Sequence, residues 1–166
     1  MITFLEAFRD ELEAESTGTR KMLALVPSDK LDWAPHPKSM KMKALATHIA
    51  DLPTWISLGL TTDELDFNTS PYNPEDCKSG EELVAYYDRC VKKAFDDLAS
   101  AKESVLEEIW TLRGGEVIYS KTTKLVTIRH AFSQITHHRA QLGVYLRLLD
   151  IPIPGVYGPS ADDQQM

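Results

Sequence analysis

The segment from about Lys124 to Leu149 places Ile128, Ala131, Phe132, Ile135, Leu142, Leu146 and Leu149 at intervals of three and four. Only a helix gathers that spacing onto one face. A helix this long with one apolar face must bury it against other helices, so the chain is constrained towards a bundle. A second stripe runs beside the first. His130, Gln134 and His138 follow one another every four residues, so their side chains stack on successive turns. With His137 they hold three of the chain's five histidines. A nitrogen-rich stripe bordering a core-facing one is what a bundle needs to hold a metal between its helices.

Three further segments read as helices. The first runs from about Phe4 to Val26 and opens with Thr3-x-x-Glu6, a capping box. Its apolar face is interrupted by Glu15, Ser16 and Thr19, where a partly exposed helix is expected rather than the wall of a polar cavity. Pro27 ends it. Residues 28–38 form a turn and a proline-restricted loop, anchored by Trp33, with His36 expected at the surface between two prolines. The second helix is expected from about Met40 to Leu58, capped by Ser39, with Leu45, Ile49, Leu52 and Ile56 inward and His48 on the shoulder. Pro53 lacks the amide that would bond the Ile49 carbonyl, so a kink is expected there. A lone histidine on such a face is ordinarily a hydrogen-bonded core residue.

Residues 59–78 make a long connection, the kind that serves as a lid or crossover. The third helix opens at Ser79-Gly-Glu-Glu82, read as another capping box, and runs to about Ser100 with Leu83, Tyr87, Cys90, Val91, Ala94 and Leu98 inward. Two β-prone runs flanking Gly114-Gly115 predict a small hairpin that must pack on the bundle or on a partner chain. A proline-rich tail follows Ile151, and the last residues are expected to fray. The expected fold is all-α, a four-helix bundle with long crossover connections and a small hairpin before the last helix, built as one domain over residues 1–166.

The chain is 43% hydrophobic and 26% charged, enough to build a core without staples, so a bound metal would serve function rather than folding. A net charge of -7 with no basic cluster disfavours a nucleic-acid partner. No apolar run approaches the ~20 residues that span a bilayer, so no membrane partner is expected. The first residues lack the basic stretch of a secretory signal. Cys77 and Cys90 match neither a redox pair nor a zinc ribbon and read as free thiols in a reducing cytoplasm.

Leu45-Ala-Thr-His48-Ile-Ala-Asp51, His137-His138-Arg139-Ala-Gln141-Leu142 and Pro152-Ile-Pro-Gly-Val-Tyr157-Gly-Pro-Ser160-Ala-Asp162 together resemble the DinB-like superfamily over nearly the whole chain. This superfamily comprises four-helix metal-binding bundles that include thiol-dependent S-transferases and maleylpyruvate isomerases. The third stretch is the most specific of the three. The resemblance implies a metal held by His48, by His138 and by the residue four before it, which here is Gln134. A glutamine oxygen is neutral and a weaker donor than imidazole or carboxylate, so a zinc or nickel ion would bind weakly or not at all. His137 points about 100° away around the helix, and His130 lies one turn from Gln134. Together with Gln141 and Tyr145 these two are expected to line the pocket. Arg139 falls on the apolar side and needs a buried partner, Glu15 or Asp51, in a structural ion pair.

Three protein ligands leave positions open for a thiol or a water. The resemblance implies a metal-dependent enzyme that transfers a low-molecular-weight thiol to an electrophile; a hydrolase-like use of metal-bound water is the other chemistry open to such a site. The alternative is a non-catalytic bundle with a degenerate metal site, acting as a ligand-binding or dimeric partner protein. A ferritin-like di-metal site is excluded, because the chain contains no Glu-x-x-His. The resemblance also implies a homodimer, for which Tyr86, Phe95 and the Gly-Gly hairpin are the candidate contact surfaces.

Overall fold

A computed structural model describes residues 2–164. Five helices are present among them: α1 (Phe4–Ala24), α2 (Met42–Asp51), α3 (Pro53–Thr61), α4 (Gly80–Ser100) and α5 (Lys124–Leu148). A three-stranded sheet comprises β1 (Glu64–Asp66), β2 (Ile109–Gly114) and β3 (Val117–Thr123), in the order β1-β2-β3. The fold is thus mostly helical with a small sheet, and the expected all-α four-helix description needs two corrections.

The first is at Pro53. The Leu52 amide still reaches the His48 carbonyl at 3.0 Å, but Pro53 has no amide to continue the ladder. The chain restarts as α3 with Pro53 in its first turn, where a missing N–H costs nothing. The kink therefore splits the expected second helix into two.

The second correction is β1, inside the connection read as irregular. It pairs in parallel with β2, Glu64 opposite Thr111 and Asp66 opposite Arg113. A three-residue strand has little strength of its own, and Asp66 secures this one. Its carboxylate accepts the amides of Asn68 and Gly115, each at 2.9 Å, and pairs with Arg113 at 3.0 Å. Those backbone donors hold its pKa below the usual carboxylate value. The predicted hairpin is present as β2–β3, antiparallel, with Gly115 at φ +61° in its turn. It packs on the helices of its own chain through Trp110, which is buried and donates to Thr62 Oγ1 at 3.1 Å.

The caps follow the sequence closely. Thr3 and Glu6 bond reciprocally, at 3.2 and 2.8 Å. At α4 only half the expected box forms: Ser79 accepts from the Glu82 amide, but the Glu82 carboxylate takes the Lys78 amide instead.

The core divides in two. One cluster holds Met22, Leu23, Leu45, Ile49, Tyr87 and Leu142; the other holds Phe8, Leu12, Leu52, Ile56, Phe132 and Ile135. Burying each such side chain contributes about 1.5–3 kcal/mol. The two meet where α1 carries Glu15 and Thr19 and α5 carries Arg139, all buried. The polar interruption of α1 is therefore an interior seam, contrary to the expected exposed patch. Arg139 Nη1 pairs with Glu15 Oε2 at 2.6 Å and donates to Thr19 Oγ1 at 2.9 Å. Of its two proposed partners, Glu15 takes the role and Asp51 does not.

Arg139 also donates to the Tyr157 hydroxyl at 2.6 Å, and that hydroxyl donates to Glu15 Oε1 at 2.7 Å. The tail is thereby pinned across the seam, with Val156 lying where a side chain on Gly18 would stand. Of the terminal residues expected to fray, 165 and 166 lie outside the described residues. Tyr86, expected as an exposed contact, is buried and bonded to Asp51. No helix is long and apolar enough to cross a membrane among the described residues.

Candidate functional site

α2 carries His48, and α5 carries His130, Gln134, His137, His138 and Gln141. Packing of α2 on α5 brings the His48 and His138 rings to 4.7 Å between centres, edge to face at 78°. Along α5, His138 Nε2 lies 2.7 Å from Gln134 Oε1 and its Nδ1 lies 2.9 Å from Gln141 Oε1. Gln134 Nε2 is 3.2 Å from His130 Nε2. The stripe therefore forms a continuous chain of polar contacts over three turns of α5, with His48 facing it from α2.

Burial lowers the pKa of His48 to about 4, and the charge of His138 pushes the same way. His138 is also lowered, mainly by burial, against the raising effect of its bond to Gln141. Both rings are therefore neutral at neutral pH, and each offers one nitrogen lone pair. A neutral imidazole has a single N–H. Both glutamine oxygens face His138, so its single N–H donates to one of them, and which one follows from its tautomer.

The remaining predicted pocket residues divide. His130 lines a chamber with His48 and Gln134. His137 is exposed, its ring 4.8 Å from that of His138 on the outer side. Tyr145 is not at the site: it is buried in the core, donates to the Met40 carbonyl at 3.1 Å and meets Trp33 edge-on at 5.6 Å. The expectation failed because Tyr145 lies a further turn along α5, where its neighbours are the loop before α2 rather than His48.

His48 borders two cavities. The smaller, about 170 Å³, is walled by Leu52, Trp55, Leu112, His130 and Gln134. The larger, about 400 Å³, is bordered by Lys43, Thr47, Tyr72 and Asp76. Lys43 and Asp76 form an ion pair at its rim. The Thr47 hydroxyl beside it is buried and has no hydrogen-bond partner among the described residues. Tyr72, Trp55 and Leu112 were not anticipated as site residues. Tyr72 had one signal, an aromatic ring held between Pro71 and Pro74 in a loop rich in polar residues. Its ring stands 6.4 Å from that of His48, edge-on.

Among the described residues no three His, Cys, Asp or Glu side chains converge as a metal site. The donor set available is His48, His138 and the Gln134 oxygen. Two neutral imidazoles and an amide oxygen fit a divalent ion of the borderline class, held more weakly than by three imidazoles or with a carboxylate.

The model of the DinB family matches residues 1–165. No curated protein matches the chain at a significant level. Among solved structures, a DinB-like protein of Bacillus subtilis superposes with a TM-score of 0.68 at 16% identity, covering 96% of this chain and 99% of that one. A DinB-like protein of Bacillus cereus gives 0.68 at 20% identity, covering 92% and 97%. A mycothiol-dependent maleylpyruvate isomerase gives 0.54 at 14% identity, covering 86% of this chain and 64% of the other.

Proposed function

The chain belongs to the DinB family, and on that premise we propose that it is a small-molecule enzyme centred on His48 and His138. In this reading His48, Gln134 and His138 hold a zinc or nickel ion weakly, and the reaction joins a low-molecular-weight thiol to an electrophile. The observation that carries the reading is the contact of two neutral imidazoles, 4.7 Å apart, one of which, His48, borders two cavities. Similarity to a fold that also serves a mycothiol-dependent isomerase supports the thiol class. When bound, the ion supplies Lewis acidity, lowering the pKa of a thiol or water beside it.

The chain's own residues supply the rest. Burial lowers the pKa of both imidazoles, that of His48 to about 4, so their lone pairs stay available at neutral pH. Gln141 bonds His138 Nδ1 and fixes the ring so that Nε2 faces Gln134. Leu52, Trp55 and Leu112 give the smaller chamber an apolar wall for the carbon part of a substrate. The Thr47 hydroxyl, without a partner among the described residues, and the Lys43–Asp76 pair give the larger one polar groups for its charged end.

Calorimetric titration of the untagged, chelator-treated protein with zinc and with nickel tests this. One ion per chain with a Kd of about 1 mM or tighter is expected, lost in His48→Ala. No binding by the wild-type chain would overturn the metal-dependent reading. A second reading, a non-catalytic ligand-binding relative, is favoured by one observation: Gln134 already contacts both His130 and His138, so these donors satisfy one another.

A further inference from the structure

A separate cavity of about 200 Å³ lies between the α2–α3 junction and the loop that follows β1. Three aromatic residues line it, Trp55 from α3 and Phe67 and Tyr72 from the loop, together with Asp51 at the end of α2. No lysine, arginine or histidine is among its lining residues. Asp51 is 8% exposed, and its Oδ1 accepts from the Tyr86 hydroxyl at 2.5 Å. No cationic side chain forms an ion pair with it among the described residues. Every other buried acidic residue has a cation beside it, Glu15 through Arg139 and Asp66 through Arg113.

A buried carboxylate served only by neutral hydroxyls, here those of Tyr86 and Thr54, has no counter-charge. Burial accordingly pushes its pKa up, against the pull of the Tyr86 and Thr54 bonds. Aromatic faces carry the negative end of the ring quadrupole and also attract cations. The acid and the rings thus select for the same ligand charge. The remaining wall decides which cation fits. Thr54, Ser70 and Asn73 contribute neutral polar groups, but Leu58 and Leu65 offer nothing to a metal ion, which needs six or more oxygen donors. They do match the methyl groups of an alkylated amine. We propose that this cavity binds an alkylated ammonium group, with Asp51 as the counter-ion and Trp55, Phe67 and Tyr72 as the enclosing rings. Tyr72 also borders the cavity at His48, so a ligand anchored here extends towards the imidazole pair. The proposal stands on the cavity itself and does not require a metal.

Calorimetric titration of the full chain with choline, and with its neutral carbon isostere dimethylbutanol, tests the charge preference. Choline is expected to bind about tenfold or more tightly than the isostere. Phe67→Leu, which retains an apolar side chain, is expected to weaken choline about tenfold and to leave zinc binding unchanged. Asp51→Asn is expected to do the same, with circular dichroism to verify its fold; if it unfolds, Phe67→Leu carries the test. Equal binding of choline and isostere would reduce the cavity to an apolar pocket and overturn the proposal. So would no heat with choline up to about 100 mM, or a Phe67→Leu variant that binds it undiminished. The zinc titration is read independently, so either reading can fail without the other.

Discussion

The imidazole of His48 stands edge-on to that of His138, their centres 4.7 Å apart at 78°. Two rings at this separation resist carrying charge together, and burial adds to the resistance. The pair is therefore unprotonated at neutral pH in the folded protein.

The unfolded chain protonates His48 near 6.5, whereas the folded chain does so only near 4. Between these values the unfolded state binds the extra proton, so folding stability falls as pH drops through this window and levels off below it. Denaturation midpoints should accordingly be lower at about pH 4.5 than at about pH 7, with a smaller difference in His48→Gln. A His48 titration at an ordinary histidine value by nuclear magnetic resonance would refute the assignment.

Gln134→His replaces the neutral oxygen beside His138 with a third imidazole. Zinc affinity should rise about tenfold to a hundredfold in calorimetry. Unchanged affinity would place residue 134 outside the metal-binding set.

Arg139→Met leaves Glu15 charged in the seam between the two core clusters, with only the Tyr157 hydroxyl as partner. Chemical denaturation should register a loss of about 3–5 kcal/mol, much of it recovered when Glu15→Gln is added. A single-variant cost under about 1 kcal/mol would mean that the pair is solvated.

Gly115→Ala sets a side chain at φ +61°, with its Cβ 2.6 Å from Asn68 Nδ2. The turn also presents the Gly115 amide to Asp66, which secures β1. A loss of about 1–3 kcal/mol is expected, with faster amide exchange in β1 and β3. Exchange confined to the turn itself would show that β1 does not depend on it.

Local structure was legible wherever a local rule governed it. Thr3 and Glu6 mark the start of α1, Gly114-Gly115 the hairpin, and the spacing of Ile128, Phe132, Ile135 and Leu142 the whole of α5. Pro53 was visible as a break, but whether the chain bends or begins a new helix depends on what α3 packs against. β1 was invisible because three residues carry no periodicity; it exists through pairing with β2 and through the bonds of Asp66 to Arg113 and Gly115 in the distant hairpin. Tyr86 read as exposed because its place on the outward or inward side of α4 depends on α2 supplying Asp51.

The sequence by itself determined which residues share a helix face, including the run from His130 to Gln141, because side chains three and four apart are neighbours on any helix. The tertiary structure alone decided that His48 meets His138, that Glu15 rather than Asp51 neutralises Arg139, and that Asp51 is enclosed with three aromatic rings. Those relationships join segments far apart in the chain. They are set by how whole helix faces exclude water from one another, a property of the packed surfaces that no short stretch of residues contains.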